Sequence, residues 1–343
     1  MTMRITGAIQ NRTRLAVVIP CYKVEPYIAA VIRSIPDYVS HIIVVDDASP
    51  DCCSDKVREL RDPRVTLVRH AHNKGVGGAM VTGYKECLKL NVDIAIKMDG
   101  DGQMDPTWIP TLIQPLLRGE ADYAKGNRWH HEENLSSMPW LRRVGNLGLS
   151  FATKLASGYW KLFDPCNGYT AVRTSVLKRI RLDDLASDYF FETSMLVELS
   201  IRGAVTRDIP MPAIYGDETS SLRIGRIVRR FPRLLVQSFC RRVWQQYFVR
   251  NFDPTSLFLL AGTSLAGWGF LFGSFAWIRS LQTGIPATSG TVMLAAVPTL
   301  MGYHLLIQAA VLDISNQPTK ALCSDEPLAE EFEVAAARSN LAA

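Results

Sequence analysis

The chain has 343 residues, 38 Lys and Arg against 33 Asp and Glu, and a net charge of +5, a length that leaves room for one sizeable core and an appendage. Its positive excess lies mostly in an arginine belt between residues 223 and 250, with no nucleic-acid-binding motif beside it, which speaks for anionic lipid headgroups and against nucleic acid as the partner. Seven cysteines, an odd number with no C-x-x-C pair and with Cys52 next to Cys53, argue against a disulfide framework and for reduced thiols.

Residues 1–13 contain no apolar stretch of the kind that opens a secretory signal, so no cleavable leader is expected. Residues 15–20 form an apolar run closed by Pro20, and residues 25–35 repeat their apolar positions at helical spacing. Residues 41–47 read as a second buried strand ending in Asp46 and Asp47; 55–60 is a short helix, 65–68 a third strand and 77–90 a helix. Alternating strands and helices predict an α/β domain with a mostly parallel sheet covered on both faces, and ligands at the carboxyl ends of its strands.

Residues 92–96 read as a fourth strand, and Lys97-Met98-Asp99-Gly100-Asp101-Gly102-Gln103-Met104-Asp105 follows it. Residues two apart in a strand point the same way, so Asp99 and Asp101 can converge on one hard cation, Mg2+ or Mn2+. Gly100 and Gly102 would leave room for a phosphate beside it, and a cation held by one or two carboxylates completes its shell with water and substrate phosphates. The competing reading is a solvated acidic turn. A dinucleotide fingerprint is missing: the turn after the first strand has no glycine, and in Gly75-Val76-Gly77-Gly78 the position three beyond Gly77 is Met80. Walker A is missing too. A diphosphate would then need another counter-charge, which favours the cation.

Residues 222–250 alternate arginines with Ile, Val, Leu, Phe, Trp and Tyr, a composition that suits interfacial amphipathic helices broken near Pro232. Residues 256–278 and 291–312 are free of charged side chains, and each exceeds the roughly 20 residues needed to cross a bilayer. They predict a transmembrane hairpin. Eight arginines between Arg223 and Arg250 precede it and its loop offers only Arg279, so the positive-inside rule puts both chain ends in the cytoplasm and makes the protein a multi-pass component of the inner (cytoplasmic) membrane. Residues 313–343 read as an acidic, weakly ordered cytoplasmic tail. The expected organisation is a 1–13 extension, a 14–221 catalytic domain, interfacial helices over 222–255, two spans within 256–312, and the tail.

The segments VVIPCYKVE, VVDDASPD, NKGVGGA, KMDGDGQMDP, KGNR, RRVGN, DPCNGYTAVR, YFFETSMLVEL and DETSSLR follow one another over about residues 14–224. In that order they resemble the family 2 inverting glycosyltransferases of GT-A fold, and within them the dolichyl or polyprenyl phosphate mannose or glucose synthases. The resemblance implies a GT-A nucleotide-sugar-binding domain, a nucleotide sugar donor such as GDP-mannose or UDP-glucose, and a polyprenyl phosphate acceptor. It implies donor contacts at Pro20, Tyr22, Glu25, Asp47, Lys74, Asp99, Gly100 and Asp101, a metal at Asp99, Asp101 and Gln103, and catalytic roles for Asp101, Asp164 and Arg128. Arg128, Arg142, Arg143 and Arg223 would hold the acceptor phosphate, with Glu192 and Ser221 in matched segments nearby. A phosphate monoester is largely dianionic near neutral pH, so it needs cations more than a general base; Asp164 is the choice if a base exists. The chain departs from the commoner synthase pattern at Asn167-Gly168-Tyr169 and at residues 217–221, which leaves sugar and carrier open. A glycan-extending synthase fits less well, since two spans make a poor channel and no Gln-x-x-Arg-Trp element is present. A non-catalytic membrane scaffold would have no need of Asp99, Asp101 and Arg128. The hairpin also offers a surface for a homo-oligomer.

Overall fold

The computed structural model describes residues 13–127, 140–165, 167–212, 224–324 and 328; Arg128, Cys166, Ser221 and Arg223 lie outside them, as does the acidic part of the tail. The described chain divides into two compact units, one comprising residues 1–239 and 318–343, the other residues 240–317.

The first unit is built on a seven-stranded sheet in the order β3-β2-β1-β4-β6-β5-β7. Its strands are β1 (Leu15–Cys21), β2 (His41–Asp46), β3 (Val65–Arg69), β4 (Ile94–Lys97), β5 (Tyr123–Asn127), β6 (Thr170–Arg173) and β7 (Thr206–Pro210). β1 is parallel to β2 and β4, and β2 to β3. β6 is antiparallel to both β4 and β5, while β5 is parallel to β7. The expectation of a mostly parallel sheet therefore holds, with β6 the reversed strand.

Alternation along the strands sorts the core into two faces. Leu15, Val17 and Ile19 of β1, Ile42 and Val44 of β2, and Ile94 and Ile96 of β4 pack on one side with Ile28 and Ile32 of α1 (Glu25–Ser34), Val57 of α2 (Cys53–Glu59) and Leu112 and Leu116 of α4 (Ile109–Leu117). Ala16, Val18, Ile43, Val45 and Ala95 face the other side, against Met80 and Tyr84 of α3 (Gly75–Lys89) and Met195, Leu196 and Leu199 of α7 (Phe191–Arg202). Between these come α5 (Trp140–Ser157) and the short α6 (Thr174–Leu177). Strand four starts at Ile94, two residues later than expected; Asp93 before it is tied to Arg14, its side chain accepting from the Arg14 N–H (2.7 Å) and its own N–H donating to the Arg14 carbonyl (2.8 Å). Helix α3 begins at Gly75, also two residues off, since its first turn is fixed by Asp47 as described below.

Two sequence expectations need correction. Residues 224–244 form one helix, α8 (Ile224–Trp244), that continues through Pro232; the proline's ring is exposed, and Phe231 beside it packs edge-on against Phe190. The residues after the apolar hairpin are not a loose tail from Asp313 onward. Asp313 lies inside a helix, and residues 318–324 with Leu328 belong to the first unit, where Leu322 N–H donates to Asp122 (2.9 Å), Arg173 donates to the Cys323 carbonyl (2.8 Å) and Leu328 N–H donates to the Leu117 carbonyl (3.1 Å).

The second unit holds α9 (Pro254–Thr283) and α10 (Ser289–Ser315), both long and apolar enough to cross a membrane. Asp253 caps α9 by accepting from the N–H groups of Thr255 (2.8 Å) and Ser256 (3.3 Å), with Pro254 at the first helical position. Small residues set the contact between the helices: a Cβ on Gly302 would sit 2.4 Å from Ala266 N, and one on Gly269 2.6 Å from the Ala295 carbonyl oxygen. Their large apolar side chains, among them Trp268, Phe270, Leu271, Trp277 and Leu300, point away from the protein. A pair of soluble core helices would bury them.

Candidate active site

The carboxyl ends of β2, β1 and β4 lie side by side, and their turns bring most of the expected donor residues together. β4 pairs with β1 only as far as Val18, so Pro20, near the end of β1, costs no ladder bond on that side. Tyr22 follows, 46% exposed, with Lys23 Nζ 5.4 Å from its ring centre. Lys23 and Ala48 both have positive φ (60° and 53°), a strained state for non-glycine residues that the loop bonds enforce. Lys23 N–H donates to Ser49 Oγ (2.7 Å), Glu25 N–H to Asp51 (3.0 Å), and Cys52 N–H back to Glu25 (3.0 Å), so the turns after β1 and β2 are laced into one piece. Glu25 thus spends one carboxylate oxygen on scaffolding.

Asp47 is buried and its carboxylate works inward as well. It accepts from His70 Nδ1 (2.7 Å), Lys74 N–H (2.8 Å) and Gly75 N–H (2.7 Å). It shapes the glycine-rich entry to α3, while the Lys74 side chain is exposed. Gly77 lets that entry press on the segment before α7, since a Cβ there would lie 2.0 Å from the Ala186 carbonyl oxygen.

Asp99 and Asp101 sit just beyond β4. Asp101 accepts from the Gln103 N–H (3.0 Å), and its carboxyl is raised above the ordinary carboxylate range, first by burial and further by the charge of Asp99. Gly100 is not a phosphate clearance: it is buried, and a Cβ there would meet Val24 at 3.2 Å and Ile19 at 3.4 Å, so its missing side chain serves the packing of β1 on β4. Gly102, at φ +81°, is exposed and makes the turn.

Three residues outside the expected set, Lys97, Lys125 and Asp208, lie at the floor of the site. Lys97, the last residue of β4, is 2% exposed and places its ammonium 3.0 Å from Asp99 Oδ1 and 3.2 Å from Glu192 Oε1. Burial opposes its charge, but the two carboxylates more than offset that, so its pKa lies above the ordinary lysine value. Glu192, in the first turn of α7, is therefore Lys97's partner. On the neighbouring strands Lys125 of β5 is fully buried, donates to the Asn167 carbonyl and lies in register with Asp208 of β7. Asp208 accepts from Phe163 N–H (2.5 Å), its Oδ1 is buried without a hydrogen-bond partner among the described residues, and its carboxyl is pushed up to about 6, first by burial and then by the nearby Asp164. Asp164 is 2% exposed and opens the turn that leads to Gly168, where a Cβ would lie 3.0 Å from Asp99 Oδ2. Arg142 and Arg143 fall in the first turn of α5; their side chains, like all of Arg128, Arg223 and Ser221, lie outside the described residues.

A glycosyl transferase family 2 model matches residues 16–181, the stretch that carries all three strand-end turns. A UDP-N-acetylglucosamine–dolichyl-phosphate N-acetylglucosaminyltransferase of Methanococcus voltae is 32% identical over 213 residues, covering 58% of this chain and 84% of that protein. The chain belongs to glycosyl transferase family 2. It is a glycosyltransferase, and its sheet is that of a GT-A fold. An undecaprenyl-phosphate mannosyltransferase of Micrococcus luteus is 28% identical over 220 residues, covering 63% of this chain and 89% of that protein. Among solved structures, glucosyl-3-phosphoglycerate synthase of Mycobacterium tuberculosis with phosphoglyceric acid superposes with a TM-score of 0.53 at 21% identity, covering 70% of this chain and 84% of that one. That likeness concerns the fold.

Among the described residues no three His, Cys, Asp or Glu side chains gather as a metal centre. Asp99 and Asp101 are two carboxylates two residues apart just beyond β4, a donor set that a divalent cation completed by phosphate oxygens would use.

Proposed function

We propose that this glycosyltransferase moves a sugar from a nucleoside diphosphate sugar to a polyprenyl phosphate, undecaprenyl or dolichyl, at the surface of the cytoplasmic membrane, with inversion at the anomeric carbon. The observation that carries the reading is the union, in one chain, of a family 2 donor cleft with two exposed apolar helices of membrane-crossing length. Several similar proteins bear the names of lipid-phosphate sugar transferases, which supports the same acceptor class. The catalytic unit carries an apolar stripe of its own: Leu147, Phe151 and Leu155, each four residues apart on α5, are exposed, as is Phe163 beside Asp164. Together with the arginines of α8 it suits a cleft held at headgroup depth, with both chain ends cytoplasmic.

In this reading Tyr22 stacks on the nucleoside base, and the laced turns holding Pro20, Glu25, Asp47 and Lys74 shape its pocket. Asp99 and Asp101, with Gln103 beside them, would hold Mg2+ or Mn2+, which supplies positive charge for the departing diphosphate. A non-bridging oxygen of the acceptor phosphate attacks the anomeric carbon from the side opposite the donor diphosphate. The new carbon–oxygen bond forms as the old one breaks, and the electron pair leaves with the nucleoside diphosphate. The acceptor dianion needs no proton removed, so Asp164 positions rather than deprotonates. Arg128, Arg142, Arg143 and Arg223 would supply the cationic side.

The test is transfer of label from radiolabelled UDP- and GDP-sugars to undecaprenyl and dolichyl phosphate in detergent, with and without Mn2+ or Mg2+. A chloroform-soluble product that requires the metal and disappears in Asp101→Ala is the expected result. Water-soluble polymer would indicate a glycan-extending synthase, and no turnover of any donor would leave the scaffold role.

A further inference from the structure

We propose that Lys97 is a positioning residue whose ammonium stands against Asp99 as an internal counter-ion, so that the Asp99/Asp101 pair admits a divalent cation in company with a nucleoside diphosphate and resists it alone. The proposal rests on the metal reading above and adds an order of binding to it.

Ala95 faces the α3 and α7 side of the sheet, and Lys97, two residues on, follows it. The ammonium is thereby delivered between Asp99 Oδ1 at 3.0 Å and Glu192 Oε1 at 3.2 Å. A lysine this deep needs both carboxylates, since neither water nor the apolar Phe191 next to Glu192 can solvate it. Room for it is made on purpose by the sequence at Gly168: a Cβ there would come within 2.5 Å of Lys97 Nζ and 3.0 Å of Asp99 Oδ2. Any other residue would push the ammonium off the carboxylate.

The consequence is electrostatic. Asp99, Asp101 and Glu192 bring three formal negative charges and Lys97 returns one. A divalent ion entering at Asp99 and Asp101 alone meets a fixed positive charge a few ångströms away, in a site where charges are poorly screened. A diphosphate arriving with the ion cancels that repulsion. Free cation is thus disfavoured by on the order of tenfold or more relative to the same site without Lys97, and by linkage the nucleotide tightens the cation as much as the cation tightens the nucleotide. Such a site would keep the cleft from filling with cation and water between turnovers.

The experiment measures Mn2+ binding to the full chain in detergent, from the free-Mn2+ electron paramagnetic resonance signal, with and without UDP or GDP. Wild type is expected to bind Mn2+ weakly alone and at least about tenfold more tightly with one of the diphosphates. Lys97→Met combined with Glu192→Gln, which removes the ammonium and its partner's charge together, should bind Mn2+ alone about tenfold more tightly and lose the nucleotide coupling by the same factor. Glu192→Gln by itself, which leaves Lys97 wholly to Asp99, should weaken Mn2+ binding alone; it carries the test if circular dichroism shows the double variant unfolded. Equal Mn2+ affinity in wild type and both variants overturns the role of Lys97 while leaving the metal reading standing. No Mn2+ binding in any of them, with or without diphosphate, removes the metal reading and the proposal with it.

Discussion

Asp208 is an ionisable group that the fold keeps at a cost, and Asp208→Asn measures the cost. Burial and the neighbouring Asp164 push its carboxyl to about 6 from an unfolded value of 3.8. A folded pKa above the unfolded one means that the folded state prefers the proton. The associated stability is present below pH 3.8 and is lost as pH rises through 6. At 1.36 kcal/mol per unit, the ionised form costs on the order of 3 kcal/mol above pH 7. The geometry agrees: Oδ2 accepts from Phe163 N–H at 2.5 Å, but Oδ1 is buried with no hydrogen-bond partner among the described residues. Asparagine keeps one acceptor for Phe163 and carries no charge. Urea unfolding of the full chain in detergent, followed through the catalytic unit's tryptophan fluorescence from pH 4 to pH 8, should show Asp208→Asn equal to wild type at the acid end. At pH 8 the variant should be more stable by about 2 to 3 kcal/mol. A variant less stable than wild type at pH 8, or a difference independent of pH, would refute the reasoning. Retention of so costly a carboxylate beside Asp164 is the pattern expected of a functional group.

Gly77→Ala puts a methyl 2.0 Å from the Ala186 carbonyl oxygen and 2.9 Å from the Ser187 carbonyl carbon, both on packed backbone, and should lower stability by about 2 to 4 kcal/mol and raise the donor KM, measured by thermal unfolding and initial rates. In the second unit Arg242, 1% exposed, donates to Asp313 at 2.7 and 3.0 Å and to Gln246 at 3.2 Å; Asp313→Ala removes the carboxylate that balances the buried charge and should cost about 3 to 5 kcal/mol in detergent melts, most of it recovered when Arg242→Met is added. Ending the chain at Gln317 removes the donors and acceptor that Leu322, Cys323 and Leu328 offer to Asp122, Arg173 and Leu117, together with the burial of Ala321 and Cys323. It should drop the catalytic unit's midpoint by at least about 5 °C, and protease resistance equal to the full chain would contradict the docking of that segment.

The backbone of the donor cleft was readable because buried parallel strands are short apolar runs and their ends are marked by acids, so β1, β2 and β4 could be placed to within about two residues and Asp99 with Asp101 assigned to one crevice. What stayed hidden has a common physical origin. Lys97, Lys125 and Asp208 are charged residues at strand positions, and a linear pattern treats a charge in a strand as facing water. Only the sheet order shows that β4, β5 and β7 bring these charges beneath the strand ends, with partners 42 to 95 residues away in sequence. Asp47 and Glu25 stand out as candidate site residues by position, yet their inward bonds depend on loops from two other segments. The segment at residues 318–324 carried no periodicity at all; its docking rests on backbone groups, which every sequence possesses, and on the small side chains of Ala321 and Cys323.

The segment from Ala186 to Glu192 ties these features together. Gly78 N–H donates to the Ser187 carbonyl (3.1 Å), so the glycine-rich turn fixed by Asp47 leans on it from one side. Asp188 receives Arg230 of α8 at 2.8 Å, and Phe190 receives Phe231 of the same helix. Glu192, one turn on, holds Lys97 and through it Asp99. Within seven residues the chain touches the donor turn, the carboxylate that would meet the diphosphate, and the basic helix that leads to the apolar hairpin. A helix seated on a bilayer through its arginines and aromatic side chains would therefore not be a passive tether. Among the described residues its contacts through Arg230 and Phe231 fall on Asp188 and Phe190, between the glycine-rich turn's support at Ser187 and Glu192.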